Sequence, residues 1–433
     1  MSMKEKEVPQ QYYNTKMITR LTVLGGSSVY IPVFLSALMQ NNVRIKEIVL
    51  VGKNSEKLNI VTSFCKRMVD NIGYPVQIKE TTSIENGIEG AQIILSHIRV
   101  GGFLARIDYE KRPVNYDLIG DESFGAGSFL NAFYTIPVML EIGKKISSIN
   151  PTAHLINMTN PMGLVVETLT RFAGLNHVIG ICETSTSYKR IISQLFNISE
   201  KHIRIQYIGL YHLGAICDVY LNGKSIMIEL IDKLEKENIP LFNKELISTF
   251  NIIPSRALNI FLRKSDYLKE QKKKSQFRSE FLYEHESKIL SIYKDPRITT
   301  IPDVVYERNP SWYDEIIIPL ICALQRKNPE EHIVCIPNKD YLSEFPFDTS
   351  VEIPCEINNK GLKPCIHTKL PEVFRGLLLT AKESDRLIIE SIVNKSYNYA
   401  LKALTINPFV DSFDKAKLFL DEFIQSKKIK WFK

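Results

Sequence analysis

Residues 20–30 of the chain read RLTVLGGSSVY. The apolar run at 20–24 is typical of a strand buried on both faces of a parallel sheet. Two glycines follow it at once, and the amphipathic stretch at 32–40 predicts a helix. A strand, a glycine turn and a helix in this order are typical of the first unit of a domain in which strands and helices alternate.

The alternation continues through the first half of the chain. Further short runs rich in Val, Ile and Leu predict strands at 47–51, 92–97, 154–158 and 177–181. Longer amphipathic stretches predict helices at 56–72 and 135–149. This pattern predicts a Rossmann-like α/β domain, with a doubly wound parallel sheet, over roughly the first 200 residues.

The second half of the chain has a different pattern. Short strand-like runs at 332–336 and 350–353 alternate with longer helix-like stretches at 225–238, 311–326 and 382–404. This mixture predicts an α+β domain. Because 433 residues exceed the size at which a single core usually stops growing, two domains are expected. The predicted division is a disordered leader over 1–16, a Rossmann-like domain over 17–200 and an α+β domain over 201–433.

The composition excludes several classes of protein. The chain is 44% hydrophobic and 24% charged, which argues against a disordered, collagen-like or disulfide-rich protein. No uncharged apolar run reaches the length of about 18 residues that indicates a membrane span, and the N-terminus lacks the apolar segment of a secretory signal. The 7 cysteines include no CxxC pair, which is typical of the reducing cytosol, so a cytoplasmic protein is expected.

The net charge of +7 is concentrated in one segment. Residues 263–278 contain seven basic and two acidic side chains. Such a run is usually a solvated helix or loop, and we expect part of this one to face an anionic ligand. No aromatic-interleaved module accompanies the charge, so no nucleic-acid partner is predicted.

The glycine turn predicts contact with a nucleotide. Glycines directly after the first strand let the backbone approach a pyrophosphate, whose charge is favoured at the N-terminus of the following helix. The residues expected to bind this cofactor are Gly25, Gly26, Ser27 and Ser28. The second predicted strand leads into Gly52-Lys53-Asn54, without the carboxylate that usually binds the ribose hydroxyls. Lys53 either favours a 2′-phosphate or is an ordinary turn lysine, so the choice between NAD and NADP stays open.

Several segments, taken in chain order, carry a more specific signal. They are GGSS at 25–28, RVGG at 99–102, GDES at 120–123, NMTNPMG at 157–163, GICE at 180–183, GLYHL at 209–213 and NPFV at 407–410. In this order the chain resembles glycoside hydrolase family four, the NAD- and manganese-dependent glycosidases, over most of its length. The resemblance implies that the chain is a divergent member with a fold like that of lactate and malate dehydrogenases. It also implies that the C-terminal domain of this chain binds substrate and forms oligomers.

The resemblance also implies a redox-assisted elimination in place of ordinary glycoside hydrolysis. A nicotinamide takes hydride from carbon 3 of the sugar, a base removes the proton on carbon 2, the group on carbon 1 leaves, water adds, and hydride returns. The implied cofactors are NAD, with NADP left open, and Mn²⁺ or another divalent metal that acts as a Lewis acid. The implied ligand is a sugar or a sugar phosphate such as a 6-phosphoglucoside, and the implied assembly is a homodimer or homotetramer.

Cys182 and His212 match the family's metal-binding cysteine and histidine. A thiolate and an imidazole, completed by substrate oxygens and water, form an open site suited to a catalytic divalent ion. Glu183 stands where the α-specific members have an Asp that resembles the general acid, so it is either an acid or a surface glutamate at a strand end. The remaining histidines, His97 among them, show no ligand spacing and are expected to be structural or surface residues.

Arg99 and Asn160 match positions that contact the sugar or its 6-phosphate in the family. Arginine suits a phosphate because its planar fork donates two parallel hydrogen bonds. Asn160 before a proline is equally typical of a structural turn. Arg278, at the end of the basic segment, lies close to a further phosphate-contacting position of the family, so the resemblance implies a substrate-binding role for it as well.

The chain departs from the family pattern at several places, among them the runs at 254–261 and 308–313. The family carries a tyrosine-rich run after a proline, and one of these tyrosines is the base at carbon 2. The matching run at 254–261 has Ala257, Ile260 and Phe261 at the tyrosine positions. These side chains accept no proton, so the usual elimination has lost its base. The second run, at 308–313, keeps Arg308 and loses both glycines of the family pattern.

Three functions stay open for this sequence. The first is a family-four-like glycosidase acting on a 6-phosphoglycoside with an altered or impaired site. The second is a sugar or sugar-phosphate 3-dehydrogenase, which needs no base at carbon 2. The third is a non-catalytic descendant that binds a nucleotide or a sugar phosphate.

Overall fold

The computed structural model describes residues 16–237, 243–308, 310–366, 369–427 and 429, apart from the side chains of 183–187. The leader expected at 1–16 lies outside the described residues except for Lys16. Strands and helices alternate in the first half, as predicted. The strands are β1 (Ile18–Leu24), β2 (Ile45–Val51), β3 (Gln77–Thr81), β4 (Ile93–Ser96), β5 (His154–Asn157) and β6 (Val178–Gly180). The helices are α1 (Ile31–Gln40), α2 (Ser55–Ile72), α3 (Ile84–Ile88), α4 (Gly102–Lys111), α5 (Gly125–Ile149), α6 (Met162–Phe172) and α7 (Glu183–Phe196).

Local sequence signals explain where the first two helices begin and end. The side chain of Asn54 caps α2 by accepting a hydrogen bond from the Lys57 amide at 2.9 Å. Gly73 ends α2 in the left-handed conformation that glycine adopts without a steric penalty. Pro32 lies in the first turn of α1, where its missing N–H leaves no hydrogen bond unmade. Local sequence signals therefore account for both ends of α2 and for the start of α1.

The six strands form a parallel sheet in the order β3-β2-β1-β4-β5-β6. This is the strand order of the Rossmann fold, in which the order reverses between β1 and β4. Leu24, the last residue of β1, pairs with Val51 of β2 and with Ser96 of β4. Ligands of such sheets bind outside the carboxyl ends of the strands at this reversal, where the glycine turn follows β1.

The second half adds antiparallel strands and further helices. The strands are β7 (Ile203–Leu210), β8 (Leu213–Leu221), β9 (Lys224–Ser225), β10 (Ile253–Pro254), β11 (Glu330–Pro337), β12 (Ser350–Asn358) and β13 (Gly361–Pro364). The helices are α8 (Met227–Lys236), α9 (Lys244–Phe250), α10 (Arg256–Leu262), α11 (Lys264–Lys272), α12 (Arg278–Tyr293), α13 (Ile318–Ala323), α14 (Glu372–Val393), α15 (Tyr397–Ile406) and α16 (Phe413–Ser426). A π-helical turn, Tyr313–Ile317, leads into α13.

One sheet runs through both halves of the chain. β11 pairs antiparallel with β6, where Cys335 lies opposite Gly180. The order then continues β12-β7-β8-β10, with β13 on β12 and β9 on β8. The predicted combination of a Rossmann-like part and an α+β part is confirmed. The division at residue 200 stays a prediction, because strands from both sides of it share the sheet.

The C-terminal helices return to the first half of the chain. Phe423 of α16 packs edge-on against Phe129 and Phe133 of α5, with ring centroids 6.4 and 5.0 Å apart. Phe129 and Phe423 are fully buried.

Among the helices in the described ranges, none has the length and hydropathy of a membrane-spanning segment.

The structure differs from the sequence-based prediction at several elements, two of which show the physical reason. The stretch 382–404, expected as one helix, is divided between α14 and α15. Lys395 has a left-handed φ of 55°, and the Ser396 side chain caps α15 by accepting from the Tyr399 amide. The sequence does not predict β3 because its residues, QIKET, are mostly polar. β3 lies at the edge of the sheet, and Ile78 is its one buried side chain.

Candidate functional site

A large cavity opens at the carboxyl ends of β1 and β4. Its volume is about 940 Å³, near the upper end of the range for small-molecule sites. Its wall contains the glycine turn, a group of arginines, and the pair Cys182 and His212. The fold therefore brings the residues predicted to bind cofactor, substrate and metal into one cavity.

The glycine turn is closed tightly against β2. Gly25 has a φ of 100°, which glycine adopts freely and other residues rarely do. The amides of Gly25 and Gly26 both donate to the Val51 carbonyl, at 3.0 and 2.8 Å. A Cβ atom on Gly26 would lie 2.7 Å from the Leu50 Cβ atom. Gly26 thus packs against the strand, and the predicted cofactor residues that line the cavity are Gly25, Ser27 and Ser28.

Cys182 and His212 face each other in the cavity wall. Cys182 follows β6, and His212 lies in the tight turn between β7 and β8, where its φ is 59°. The Cys182 Sγ and His212 Nε2 atoms are 3.5 Å apart. At this separation, the sulfur and the nitrogen could both contact one divalent ion. Burial lowers the pKa of His212 to about 4, so at neutral pH its imidazole is neutral and fits a metal ion.

An ion held by Cys182 and His212 would have most of its coordination positions open. Within the described ranges, no group of three or more His, Cys, Asp or Glu side chains is placed to hold one ion. Two protein ligands leave the other positions to substrate oxygens and water, as in a catalytic site. Glu183 begins α7 directly after Cys182. Its side chain lies outside the described residues, so its acid role stays a prediction.

Tyr211 is a cavity residue that no sequence motif marked except by its place beside His212. Its hydroxyl donates to Asn160 Oδ1 at 2.5 Å and lies 3.3 Å from Ser123 Oγ. Its ring centroid is 4.0 Å from that of His212. Asn160 and Tyr211 both line the cavity. Because the Asn160 carbonyl oxygen accepts from Tyr211, the Asn160 amide group is left to donate to a ligand.

Acidic residues orient several arginines of the cavity. Glu122 pairs with both Arg99 and Arg106, at 2.5 and 3.1 Å. Burial by itself would raise the pKa of Glu122, but Arg106 and Arg99 outweigh it and hold this pKa below its ordinary value. Glu122 is therefore ionised and fixes both guanidinium groups. In the same way, Asp121 pairs with Arg256 at 2.9 Å.

Two other arginines have no carboxylate partner in the part of the chain that the structure describes. The Arg308 guanidinium lies 4.7 Å from the ring centroids of both Tyr30 and Trp312, and its buried Nε atom has no hydrogen-bond partner there. Burial lowers the pKa of Arg308, and the charge of Arg99 lowers it further. Arg278, the first residue of α12, lines the same cavity. Unpaired positive charge in a cavity indicates an anionic ligand.

The remainder of the basic segment lies outside this cavity. Of the seven basic residues at 263–278, Arg278 is the one in the cavity lining. Lys269 pairs with Asp266 at 3.3 Å, and Lys272 pairs with Asp117. Arg278 is therefore the one basic residue of this segment that is placed to face a ligand in the cavity.

The run that lacks the family's tyrosines forms α10. Ala257 and Ile260 are buried, and neither they nor Phe261 line the cavity. The start of this helix supports His212 instead. The Ser255 hydroxyl donates to the His212 carbonyl at 2.5 Å, and the Ala257 amide donates to the same oxygen at 3.2 Å. The loss of the base at carbon 2 stays a prediction.

His97 is a second cavity residue without a sequence motif. It follows β4 beside Gly25, since a Cβ on that glycine would lie 3.2 Å from His97 Cδ2. Its Nδ1 atom is 3.5 Å from the Tyr313 hydroxyl, and its buried Nε2 atom has no partner among the described residues. Burial lowers the pKa of His97 to about 4. A neutral ring with an unused nitrogen beside the glycine turn fits a bound dinucleotide.

Family-level comparison identifies both halves of the chain. The family model described as "Family 4 glycosyl hydrolase" matches residues 20–198, and that of the "Family 4 glycosyl hydrolase C-terminal domain" matches residues 207–410. The "Probable 6-phospho-beta-glucosidase" of Bacillus subtilis is 30% identical over 94% of this chain and 96% of the relative. The "6-phospho-beta-glucosidase" of Escherichia coli is 27% identical over 95% of this chain and 96% of the relative.

Solved structures agree in fold. The 6-phospho-beta glucosidase from Thermotoga maritima, solved with manganese, NAD⁺ and glucose-6-phosphate, matches with a TM-score of 0.87 at 26% identity, over 95% of this chain and 98% of that one. Lactate dehydrogenase from Eimeria maxima matches with a TM-score of 0.53 at 15% identity, over 87% of this chain and 96% of that one. The second match concerns the fold alone, and it confirms the predicted likeness to lactate dehydrogenase.

Proposed function

The chain belongs to glycosyl hydrolase family 4, and on this premise we propose that it hydrolyses 6-phospho-β-glucosides with NAD and a divalent metal ion. The B. subtilis, E. coli and T. maritima relatives, all named 6-phospho-beta-glucosidases, support this choice of substrate and cofactors. One observation carries the proposal. A single cavity is lined by the glycine turn, by Cys182 with His212, and by Arg308, which has no carboxylate partner among the described residues.

Arg308 and Arg278 are the proposed contacts of the sugar 6-phosphate. The Arg308 guanidinium packs against the adjoining rings of Tyr30 and Trp312, and these contacts restrict the orientation of its donors. A phosphate would supply the negative charge that this buried group lacks. A glucoside without phosphate would leave it uncompensated, so the cavity selects against such a substrate. Arg99, already fixed by Glu122, presents its remaining donors to the same ligand.

Cys182 and His212 are the residues that would hold the divalent ion. When bound, the ion supplies a Lewis acid and NAD supplies a reversible hydride acceptor. The protein's own residues position the sugar. Asn160, oriented by Tyr211, donates to a sugar oxygen, and the Ser255 hydroxyl holds the His212 turn in place. Glu183 is proposed as the acid that protonates the leaving group.

A second function, sugar-phosphate 3-dehydrogenase, is favoured by the apolar run in α10. Oxidation at carbon 3 requires the nucleotide and the phosphate contacts, whereas cleavage also requires a base at carbon 2. Ala257, Ile260 and Phe261 offer no such base. The glycosidase releases the aglycone and regenerates NAD, whereas the dehydrogenase releases no aglycone and leaves NADH and a 3-keto sugar.

The test follows aglycone and NADH together. The full chain is incubated with NAD, Mn²⁺ and 4-nitrophenyl β-glucoside 6-phosphate. Nitrophenol release that is lost in Cys182→Ser and His212→Ala, and kept in Cys365→Ser outside the cavity lining, supports the glycosidase. Steady NADH formation without nitrophenol supports the dehydrogenase. If neither product forms while NAD still binds by calorimetry, the chain is a non-catalytic relative.

Three further properties concern the assembly, the location and the domains of the chain. A homodimer or homotetramer, a cytoplasmic location, and a division into domains at residue 200 follow from the family resemblance and the composition. Size-exclusion chromatography with light scattering tests the assembly, because a mass of 49.7 kDa identifies a monomer. Limited proteolysis tests the division, since cutting near residue 200 ahead of all other sites supports it.

A further inference from the structure

The cavity extends from the glycine turn along the carboxyl end of β2. Gly52, Lys53 and Asn54 line it there. A Cβ atom on Gly52 would lie 3.2 Å from Ser27 Oγ, so this position directly adjoins the glycine turn. In a Rossmann fold, the ribose of the adenosine lies at this end of β2.

This end of β2 lacks the group that selects NAD. A carboxylate there usually binds the ribose hydroxyls, and its charge repels the 2′-phosphate of NADP. Gly52 has no side chain, and the side-chain oxygen Oδ1 of Asn54 accepts from the Lys57 amide as the cap of α2. Each carboxylate of the described cavity lining is already paired with a cation of that lining, as in Glu286 with Lys57 at 2.6 Å and Glu141 with Lys145 at 2.9 Å.

Lys53 supplies positive charge at the same place. Its side chain is exposed and lines the cavity, and no ion pair or hydrogen bond within the described ranges involves its ammonium group. α2, which is 18 residues long, begins two positions later and adds the partial positive charge of its N-terminus. A phosphate on the ribose 2′-oxygen would therefore meet attraction where NAD-selective sites present repulsion.

We propose that the dinucleotide site of this chain binds NADP at least as tightly as NAD, and that Lys53 binds the 2′-phosphate. The proposal rests on the proposed function only in requiring a dinucleotide at the glycine turn. In this proposal Lys53 determines the nucleotide specificity, and this role does not depend on the sugar and metal sites.

Calorimetry on the full chain, without metal or sugar, tests this proposal apart from catalysis. NAD and NADP are titrated, and adenosine 5′-monophosphate and adenosine 2′,5′-bisphosphate isolate the contribution of the 2′-phosphate. We expect Lys53→Ala to weaken NADP and the bisphosphate about tenfold, as for the loss of one charge-assisted hydrogen bond. NAD and the monophosphate should change by less than about twofold. Lys66→Ala, an exposed lysine of α2 outside the cavity lining, should change none of them.

Lys53→Asp provides a second variant that a folding defect cannot imitate. It should abolish NADP binding and keep NAD binding, because a carboxylate now stands at the end of β2. Binding of NAD without NADP by the wild-type chain would overturn the proposal and leave the proposed function standing. Equal weakening of both nucleotides in Lys53→Ala would overturn the role of Lys53. If neither nucleotide binds the wild-type chain, the proposed function fails as well.

Discussion

At the scale of single residues, Arg308 best distinguishes a phosphorylated from an unphosphorylated substrate. Its guanidinium packs against the rings of Tyr30 and Trp312, and its buried Nε atom has no partner among the described residues. We expect Arg308→Gln to raise the KM for 4-nitrophenyl β-glucoside 6-phosphate at least about tenfold, the cost of one buried charged hydrogen bond. Steady-state kinetics provide the measurement, with Arg297→Gln, an exposed residue paired to Asp295, as the control. An unchanged KM would remove Arg308 from the phosphate site.

His332 provides a prediction on pH and stability. Burial lowers its pKa to about 3, whereas a histidine in the unfolded chain has a pKa of about 6.5. Between these values the unfolded chain binds a proton that the folded protein does not, so the free energy of unfolding falls as the pH falls. We expect this histidine to cost on the order of 1–2 kcal/mol between pH 7 and pH 5.

Urea unfolding at these two pH values measures this dependence. His332→Gln should reduce the difference in unfolding free energy, and His202→Gln, an exposed histidine, should leave it unchanged. His97 and His212, whose pKa values are also lowered by burial, maintain part of the slope in both variants. If the unfolding free energy of His332→Gln depended on pH as strongly as that of the wild-type chain, the protonation of His332 would not be linked to folding.

Sequence motifs identified some cavity residues and not others. Cys182, His212 and Arg99 lie inside segments that resemble the family, and the structure places all three in the cavity wall. Tyr211 lies in the GLYHL segment without a role predicted for it, and His97 lies outside the family-like segments. Their importance depends on neighbours that are distant in sequence, such as Asn160 for Tyr211, and only the fold brings these together.

At the scale of elements, the glycine turn requires the absence of a side chain at residue 26. Gly26→Ala places a Cβ atom 2.7 Å from that of Leu50, so the turn must move away from β2. We expect the Kd for NAD to rise at least about tenfold in calorimetry. Gly376→Ala, a helical glycine with open space around it, serves as the control. Unchanged NAD affinity in Gly26→Ala would exclude the turn from the nucleotide site.

α10 keeps a structural role in spite of its missing tyrosines. Ser255 caps this helix and donates to the His212 carbonyl, so Ser255→Ala should lower the unfolding free energy by about 1–2 kcal/mol and weaken Mn²⁺ binding. Ser412→Ala removes the cap of α16, away from the cavity, and should lower stability without changing the Mn²⁺ affinity. Urea unfolding and Mn²⁺ titration distinguish the two. Equal Mn²⁺ affinities in both variants would contradict this support of the metal site.

Elements with strong local signals were predictable, and those defined by their neighbours were not. β1 is rich in apolar residues and is followed by glycine, and α2 has both a cap and a terminal glycine, so their predicted bounds lie within two residues of the observed ones. β3 becomes a strand by pairing with β2, and its polar sequence gives little sign of this. The break between α14 and α15 depends on the conformation of Lys395, which no sequence pattern specifies.

At the scale of the whole molecule, both halves of the chain build the site. The glycine turn and Cys182 come from the parallel part of the sheet, and His212 comes from the antiparallel part. A reaction that needs nucleotide, metal and sugar together therefore depends on the continuous sheet. The central claim is that this site cleaves the glycoside by oxidation and elimination.

The proton on carbon 2 provides the most direct test of that claim. The full chain is incubated in D₂O with NAD, Mn²⁺ and a 6-phospho-β-glucoside, and the glucose 6-phosphate formed is examined by NMR. Elimination and readdition of water predict deuterium on carbon 2 of the product, with no product formed by Cys182→Ser. Glucose 6-phosphate that retains hydrogen on carbon 2 would show direct hydrolysis and contradict the proposed chemistry.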